Sequence, residues 1–256
     1  MTSGHDATPF PTYPTGFHRR IAVHPAQGWI GGALEDDMHH FLLRLDHDGA
    51  RVTGVAARAL RHPWTGCAGA PGHIAASLAG KPLAEIAAQD PSAFCTHLID
   101  LAVLLAAHAG DSAPTLFAMT VADRVEGRST AVLSQDGAER LTWRLEGTAL
   151  CPPGAHAGCD LRQLSRWKHD LAPAEAEHAT LLRRAVFVSG ARAYSPPPGT
   201  LTATDSPGRM GVCFNYQLPQ AETSTRNPDW HTDFSESERV PLHGFTLAHL
   251  EQLVPA

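Results

Sequence analysis

The amino-acid sequence predicts an α+β fold: a small antiparallel sheet with helices packed on one face, followed by a second antiparallel sheet and a helical segment. Three observations carry that expectation. Period-two alternation from Asp37 to Asp46 marks a strand. The dipeptides Asp48-Gly49 and Asp136-Gly137 each join two strand-like runs into a hairpin. The helix-compatible stretches 67–79 and 91–109 are bounded by Gly80-Lys81-Pro82 and Asp90-Pro91, which stop and start helices.

In chain order, residues 1–15 are polar and proline-dotted and read as a disordered start without a hydrophobic signal core. Residues 17–24 and 28–34 read as short strands across a turn at Pro25, with Trp29 and Ile30 as packing residues. In the next strand the odd positions Asp37, His39, Phe41, Leu43 and Leu45 form the more apolar face. Residues 52–60 return antiparallel. A helix over 67–79, a shorter one over 83–88 and a third over 91–109, with Ile99, Val103 and Ala106 on its apolar side, follow. Strands are expected at 116–121, 129–133 and 140–145, a loop at 147–158, and helix over most of 161–192 with a break near Pro173. The remainder reads as a linker (194–208), a strand (211–217) and a short amphipathic end (246–253). There is no internal repeat, and residues 111–256 are expected to complete the same domain as 16–110.

The chain has 256 residues and a formal charge of -6, from 26 acidic and 20 basic side chains without long blocks of either sign. That leaves no electrostatic footprint for a phosphate backbone, so nucleic acid is not an expected partner. No apolar run reaches the roughly 18 residues that span a bilayer, so no membrane partner is expected and the cytoplasm is the expected location. Five cysteines, at 67, 95, 151, 159 and 213, are an odd set in a chain of this size and point to reduced thiols.

Four features carry candidate chemistry. The first is Glu35-Asp36-Asp37-Met38-His39-His40, where alternation puts Asp37 and His39 on one face, so that a carboxylate orients an imidazole as a general base or metal ligand. The second is Cys67 with Cys95, the latter near a helix start that favours a thiolate, followed within a turn by His97 and Asp100. The third, Cys151, His156 and Cys159, has spacing for three ligands but no fourth nearby. The fourth is the aromatic group Phe214, Tyr216, Trp230 and Phe234, which lines a pocket or fills a core.

Two resemblances attach to these residues. The strings Arg19-Arg20-Ile21, Ala33-Leu34-Glu35-Asp36-Asp37-Met38-His39-His40-Phe41, His47-Asp48-Gly49, Arg61-His62-Pro63-Trp64-Thr65-Gly66-Cys67 and Cys95-Thr96-His97-Leu98-Ile99-Asp100-Leu101 resemble a bacterial domain-of-unknown-function family. Residues 33–109 are also similar to the U-type iron-sulphur cluster scaffold. Gly66-Cys67, Gly80-Lys81-Pro82-Leu83-Ala84-Glu85 and Cys95 match that scaffold's pattern, and Asp37 matches its aspartate. Glu35 stands where the scaffold has its first cysteine, which argues against cluster assembly as such. What the resemblance implies is a metal set of Glu35, Asp37, Cys67 and Cys95, suited to zinc or iron with an open position, or else a metal-free acid/base site.

The functional expectation is an enzyme of small-molecule catabolism, a lyase or hydrolase acting on an aromatic substrate. Asp37, His39, His40 and His97 are the expected catalytic residues, and Trp64, Phe214 and Tyr216 the expected substrate contacts. One concrete version is a retro-aldol cleavage releasing formaldehyde from a lignin-derived alcohol, which follows from the association of orphan families with aromatic degradation rather than from any residue. The alternative is a non-catalytic metal or iron-sulphur scaffold. A small-molecule substrate is the expected partner, and a homo-oligomer is left open.

Overall fold

The computed structural model describes residues 10–11, 15–193, 201–236 and 238–255. The expected disordered start and the first part of the expected linker fall largely outside them. Among the described residues are eight strands: β1 (Gly16–Ala26), β2 (Trp29–Asp36), β3 (His40–His47), β4 (Val52–Arg61), β5 (Thr115–Ala122), β6 (Arg128–Gln135), β7 (Ala138–Glu146) and β8 (Ala149–Cys151). The α-helices are α1 (Ala70–Leu78), α2 (Thr96–Ala107), α3 (Leu164–Trp167), α4 (Pro173–Ser189), α5 (Gln220–Thr223) and α6 (Ala248–Glu251). The fold class is α+β, as the patterning predicts. Described residues in 19–117 and 195–256 form one compact unit, and those in 1–18 and 118–194 a second. The C-terminal segment therefore belongs with the first half of the chain, not with the strands that precede it.

In the larger unit the strands follow the order β4-β3-β2-β1, with antiparallel registers. Ile30, Gly32 and Leu34 of β2 lie opposite Leu45, Leu43 and Phe41 of β3, so one face carries a continuous apolar surface. Phe41, Leu43 and Leu45 have no exposed area, which at about 1.5–3 kcal/mol for each buried side chain makes this face the main source of cohesion. Helix α2 covers it with Leu98, Leu101, Ala102 and Leu105. A Cβ on Gly32 would lie 3.0 Å from the Leu101 and Leu105 methyls, so glycine there lets the helix approach.

The opposite face is covered too. Ala33, Leu42 and Ala56 cluster with Leu250 and Leu253, flanked by Trp29, Leu242 and Phe245. Helices on one face only were expected, and the C-terminal segment supplies the second layer. Its weak pattern concealed this because only a few apolar residues make the contact.

Three boundaries differ from the sequence expectation for local reasons. Residues 37–39 form the β2–β3 turn rather than a strand start, because the Asp36 amide bonds the His39 carbonyl at 2.8 Å and the β3 ladder begins at His40. Helix α2 begins at Thr96, after a separate turn over Pro91–Ala93 whose Ser92 amide bonds the Asp90 carboxylate. Residues 211–217 are not a strand. The Gly211 amide bonds the Tyr216 carbonyl and the Tyr216 amide the Cys213 carbonyl, closing a turn at Phe214–Tyr216, while the Phe214 amide bonds the Phe94 carbonyl in a single contact rather than a ladder.

In the smaller unit the order is β5-β6-β7-β8. Asp136 and Gly137 take φ of 52° and 82° at the β6–β7 turn, the left-handed pair that a tight hairpin requires. The expected loop 147–158 contains β8. Helix α4 buries His178, Ala179, Leu181, Leu182, Ala185 and Val186.

Gly66, in the larger unit, is also set by close packing. A Cβ on Gly66 would lie 2.6 Å from Asn215 Oδ1 and 2.9 Å from Ser224 Oγ, both of them buried. Gly66→Ala is expected to destabilise the protein by roughly 1–3 kcal/mol in urea unfolding. Gly72→Ala, in α1 with nothing within 4 Å, should be neutral or stabilising; equal effects would contradict the packing assignment.

Candidate functional site

The apolar alternation of β2 continues past Ile30, Gly32 and Leu34 to Asp36, which therefore points toward α2 at the end of the hydrophobic face. On β1, Arg19 is the register partner of Asp36. Both are buried, at 2% and 0% exposure. The β2–β3 turn brings His39 back over the same spot, and the first turn of α2 presents His97 to it. The His39 and His97 ring centroids are 3.8 Å apart, and each ring stacks at 6.0 Å on Phe41.

Asp36 accepts five hydrogen bonds. Oδ2 takes Arg19 Nε at 3.0 Å and Arg19 Nη2 at 2.5 Å; Oδ1 takes the Met38 and His39 amides, both at 2.8 Å, and His39 Nδ1 at 3.0 Å. Burial pushes the Asp36 carboxyl up, but the charges of His39 and Arg19, the His39 hydrogen bond and His97 outweigh it and hold the group well below the usual carboxylate range. The carboxylate is thus ionised and can only accept.

That fixes the protons on both rings. His39 must carry hydrogen on Nδ1 to bond Asp36, which leaves its Nε2 lone pair free when the ring is neutral. His97 Nδ1 lies 3.4 Å from Arg19 Nη2, a donor with no lone pair, so this nitrogen accepts and the neutral ring holds its proton on Nε2. Two adjacent imidazoles therefore have opposite tautomers: a base beside a proton donor.

A second layer of charge ties the turn down. Glu35 Oε1 accepts from Arg61 at 3.1 Å and its Oε2 from the Leu242 amide at 2.5 Å. Arg61 also donates to the Asp36 carbonyl at 2.5 Å and to the Thr232 hydroxyl. The Thr232 amide bonds the Asp37 carbonyl at 2.7 Å. His40 Nδ1 is 3.5 Å from Glu35, and burial lowers its pKa. His62, one residue past the Arg61–His40 register pair, lies within electrostatic reach of His39, and burial lowers its pKa.

His39 and His97 come together. The carboxylate on the His39 ring is Asp36, where alternation counted from residue 37 assigned Asp37. Asp37 is buried in the turn. Glu35 and His40 serve the tie to the C-terminal segment. Cys67 and Cys95 are not in the group with His39 and His97; they lie within electrostatic reach of each other, and Cys67 clusters with Trp64 and Tyr216. Burial pushes the Cys95 thiol up to about 12 and the Cys67 thiol well above its ordinary range. The helix start expected to make Cys95 a thiolate is present, since Cys95 caps α2, yet desolvation outweighs its amides. Trp64 meets Tyr216 edge-on at 5.9 Å and lies 4.2 Å under the Arg226 guanidinium. Phe214 packs on His73 at 5.0 Å. All three expected substrate contacts are at most 8% exposed. Arg19 and Asp36 were missed, although two-residue alternation along β1 and β2 carries the signal for both.

Among the described residues one group has metal-ligand spacing, Asp36, His39 and His97, whose donor atoms lie within 4.8 Å of one another. It is not the set Glu35, Asp37, Cys67 and Cys95. The donor types suit zinc or iron, but the fit is poor. Every lone-pair direction of Asp36 is engaged, His39 Nδ1 is protonated by that bond, and the Arg19 guanidinium touches both Asp36 and His97 where a cation would sit.

No model of a known protein family matches the chain, and no curated protein matches it.

Removing the carboxylate strands a buried guanidinium, so Asp36→Asn is expected to cost roughly 3–5 kcal/mol at pH 7. The folded pKa lies below the unfolded value of about 3.9, so the stabilisation is complete above that pH and fades as pH falls below it. The stability gap between wild type and Asp36→Asn should narrow progressively as pH falls below about 4. A constant gap from pH 7 to 2 would contradict an ionised Asp36.

Proposed function

We propose that the protein is an enzyme that moves protons on a small organic substrate, with His39 Nε2 as general base and His97 as proton donor. Asp36 and Arg19 orient the pair. The observation that carries this reading is the ionised, fully bonded Asp36 on His39 together with Arg19 Nη2 on His97, which give opposite tautomers to two rings 3.8 Å apart. Two of the quoted motifs, the β2–β3 turn and the start of α2, supply the two histidines. The protonated, buried thiols of Cys67 and Cys95 favour acid/base work over a thiolate-held metal or cluster. Five free cysteines suit a reducing compartment such as the cytoplasm. No helix among the described residues is long and apolar enough to cross a membrane.

The reaction class we assign is a lyase, in the form of a retro-aldol cleavage of an aromatic alcohol. His39 Nε2 takes the hydroxyl proton of an R–CH2OH group. The O–H electrons form the carbonyl of formaldehyde, the C–C bond breaks, and its pair passes to a carbon stabilised by the ring of R. His97 protonates that carbon, giving RH. Atoms and charges balance without an oxidant or reductant. The paired imidazoles supply both transfers.

A panel of aryl alcohols with a primary hydroxyl beside a ring-stabilised carbon, assayed colorimetrically for formaldehyde, tests the reading. His39→Ala should lower kcat by roughly 10²–10⁴-fold, with Cys67→Ser and Cys95→Ser retaining turnover in proportion to folded protein. Turnover that survives His39→Ala, or vanishes in the folded cysteine variants, would remove the acid/base assignment.

A further inference from the structure

The smaller unit holds a cleft of about 240 Å³, lined by β7, β8, the loop after β8, and helices α3 and α4. Its walls are aromatic: Trp143, buried on β7, and Trp167 on α3, with the His156 ring stacked on Trp167 at 4.9 Å and 25°. Leu150, Leu171 and Ala179 add apolar surface. The walls are fixed by hydrogen bonds. Trp167 Nε1 donates to the Asp160 carbonyl at 3.3 Å, and His178 Nε2 is 3.0 Å from Gln135 Oε1. The loop carrying His156 is held by Leu150–Cys159, Gly158–Leu150 and Cys159–His156 backbone bonds of 2.8–3.0 Å. These contacts give the Cys151–Cys159 segment a use other than metal binding, for its three expected ligands form no metal-spaced group among the described residues.

Size and charge define what fits. The volume exceeds the ~150 Å³ that encloses a benzene-sized ring and falls below the ~300–1,000 Å³ of sites for drug-sized ligands, so one substituted ring fills it. Two guanidiniums line it, on Arg140 and Arg144. Arg144 is engaged over the Phe10 ring at 5.7 Å, whereas Arg140 acts electrostatically on His178 within the cleft. The one lining carboxylate, Glu175, is turned to its own helix start, where it accepts the Ala172 amide at 3.3 Å. Aromatic plates with one cation at the rim suit a flat ring that bears an anionic group.

We propose that this cleft is a binding site for a monocyclic aromatic carboxylate, stacked against Trp167 and His156 and paired with Arg140. It is separate from the Asp36–His39–His97 group and does not depend on the reading given to that group. Isothermal titration of the full chain with benzoate tests it, with benzyl alcohol and acetate as comparisons. Benzoate should bind saturably and more tightly than either comparison. The exposed Arg140→Gln should weaken benzoate by about tenfold or more, the effect of one charge-assisted hydrogen bond, and leave benzyl alcohol unchanged. Trp167→Ala and His156→Ala should weaken both aromatic ligands; if Trp167→Ala does not fold, His156→Ala decides that arm. His39→Ala should bind benzoate within twofold of wild type. No saturation with benzoate, acetate binding as tightly as benzoate, unaltered affinity in both Arg140→Gln and His156→Ala, or loss of binding in His39→Ala would each overturn the proposal.

Discussion

Everything at the candidate site depends on keeping one carboxylate ionised where no water reaches it. Moving a carboxylate into a protein interior costs several kcal/mol after relaxation, and Asp36 has no exposed surface. Five hydrogen bonds and a guanidinium offset that cost. Each bond also sets a neighbour: two amides close the β2–β3 turn, Arg19 locks β1 to the end of β2, and His39 is held in one tautomer. A neutral acid at position 36 would satisfy neither Arg19 nor the turn. Fold and chemistry thus share a single constraint.

The C-terminal segment extends the same constraint outward. It reaches the turn at two points, Thr232 on the Asp37 carbonyl and Leu242 on Glu35, with Arg61 bridging Glu35, Asp36 and Thr232. Leu250 and Leu253 anchor the segment on the sheet face opposite α2. The hairpin bearing His39 is consequently held from both sides, α2 covering one face and the C-terminal residues the other. That rigidity keeps an imidazole aligned on a carboxylate without further support.

Elements with strong periodicity were legible from the sequence. The alternating strands, both Asp-Gly turns and the Gly80 stop appear where residue type dictates backbone conformation. Legibility failed where a few side-chain bonds override pattern. Asp36 closes the turn with its own carboxylate, which shifts the start of β3 from Asp37 to His40 and moves the orienting role from Asp37 to Asp36. Residues 211–217 alternate like a strand, yet no neighbouring ladder accepts their amides. Cys95 occupies the helix start where a reactive thiol was expected, and burial reverses the consequence. At the site itself, His39 and His97 were readable as candidates, but their meeting depends on a strand register pairing residues 19 and 36 and on α2 crossing the sheet, neither of which local spacing encodes.

An ionised Asp36 holds His39 with its proton on Nδ1. Imidazole ¹⁵N chemical shifts of uniformly labelled protein near pH 8, with His39 assigned by its loss in His39→Ala, measure this directly. A protonated Nδ1 and a lone-pair Nε2 on His39, beside the reverse pattern on His97, are the predicted result. A His39 ring carrying its proton on Nε2 would contradict it, for the hydrogen bond to Asp36 would then be absent and the proposed base would have no lone pair to use.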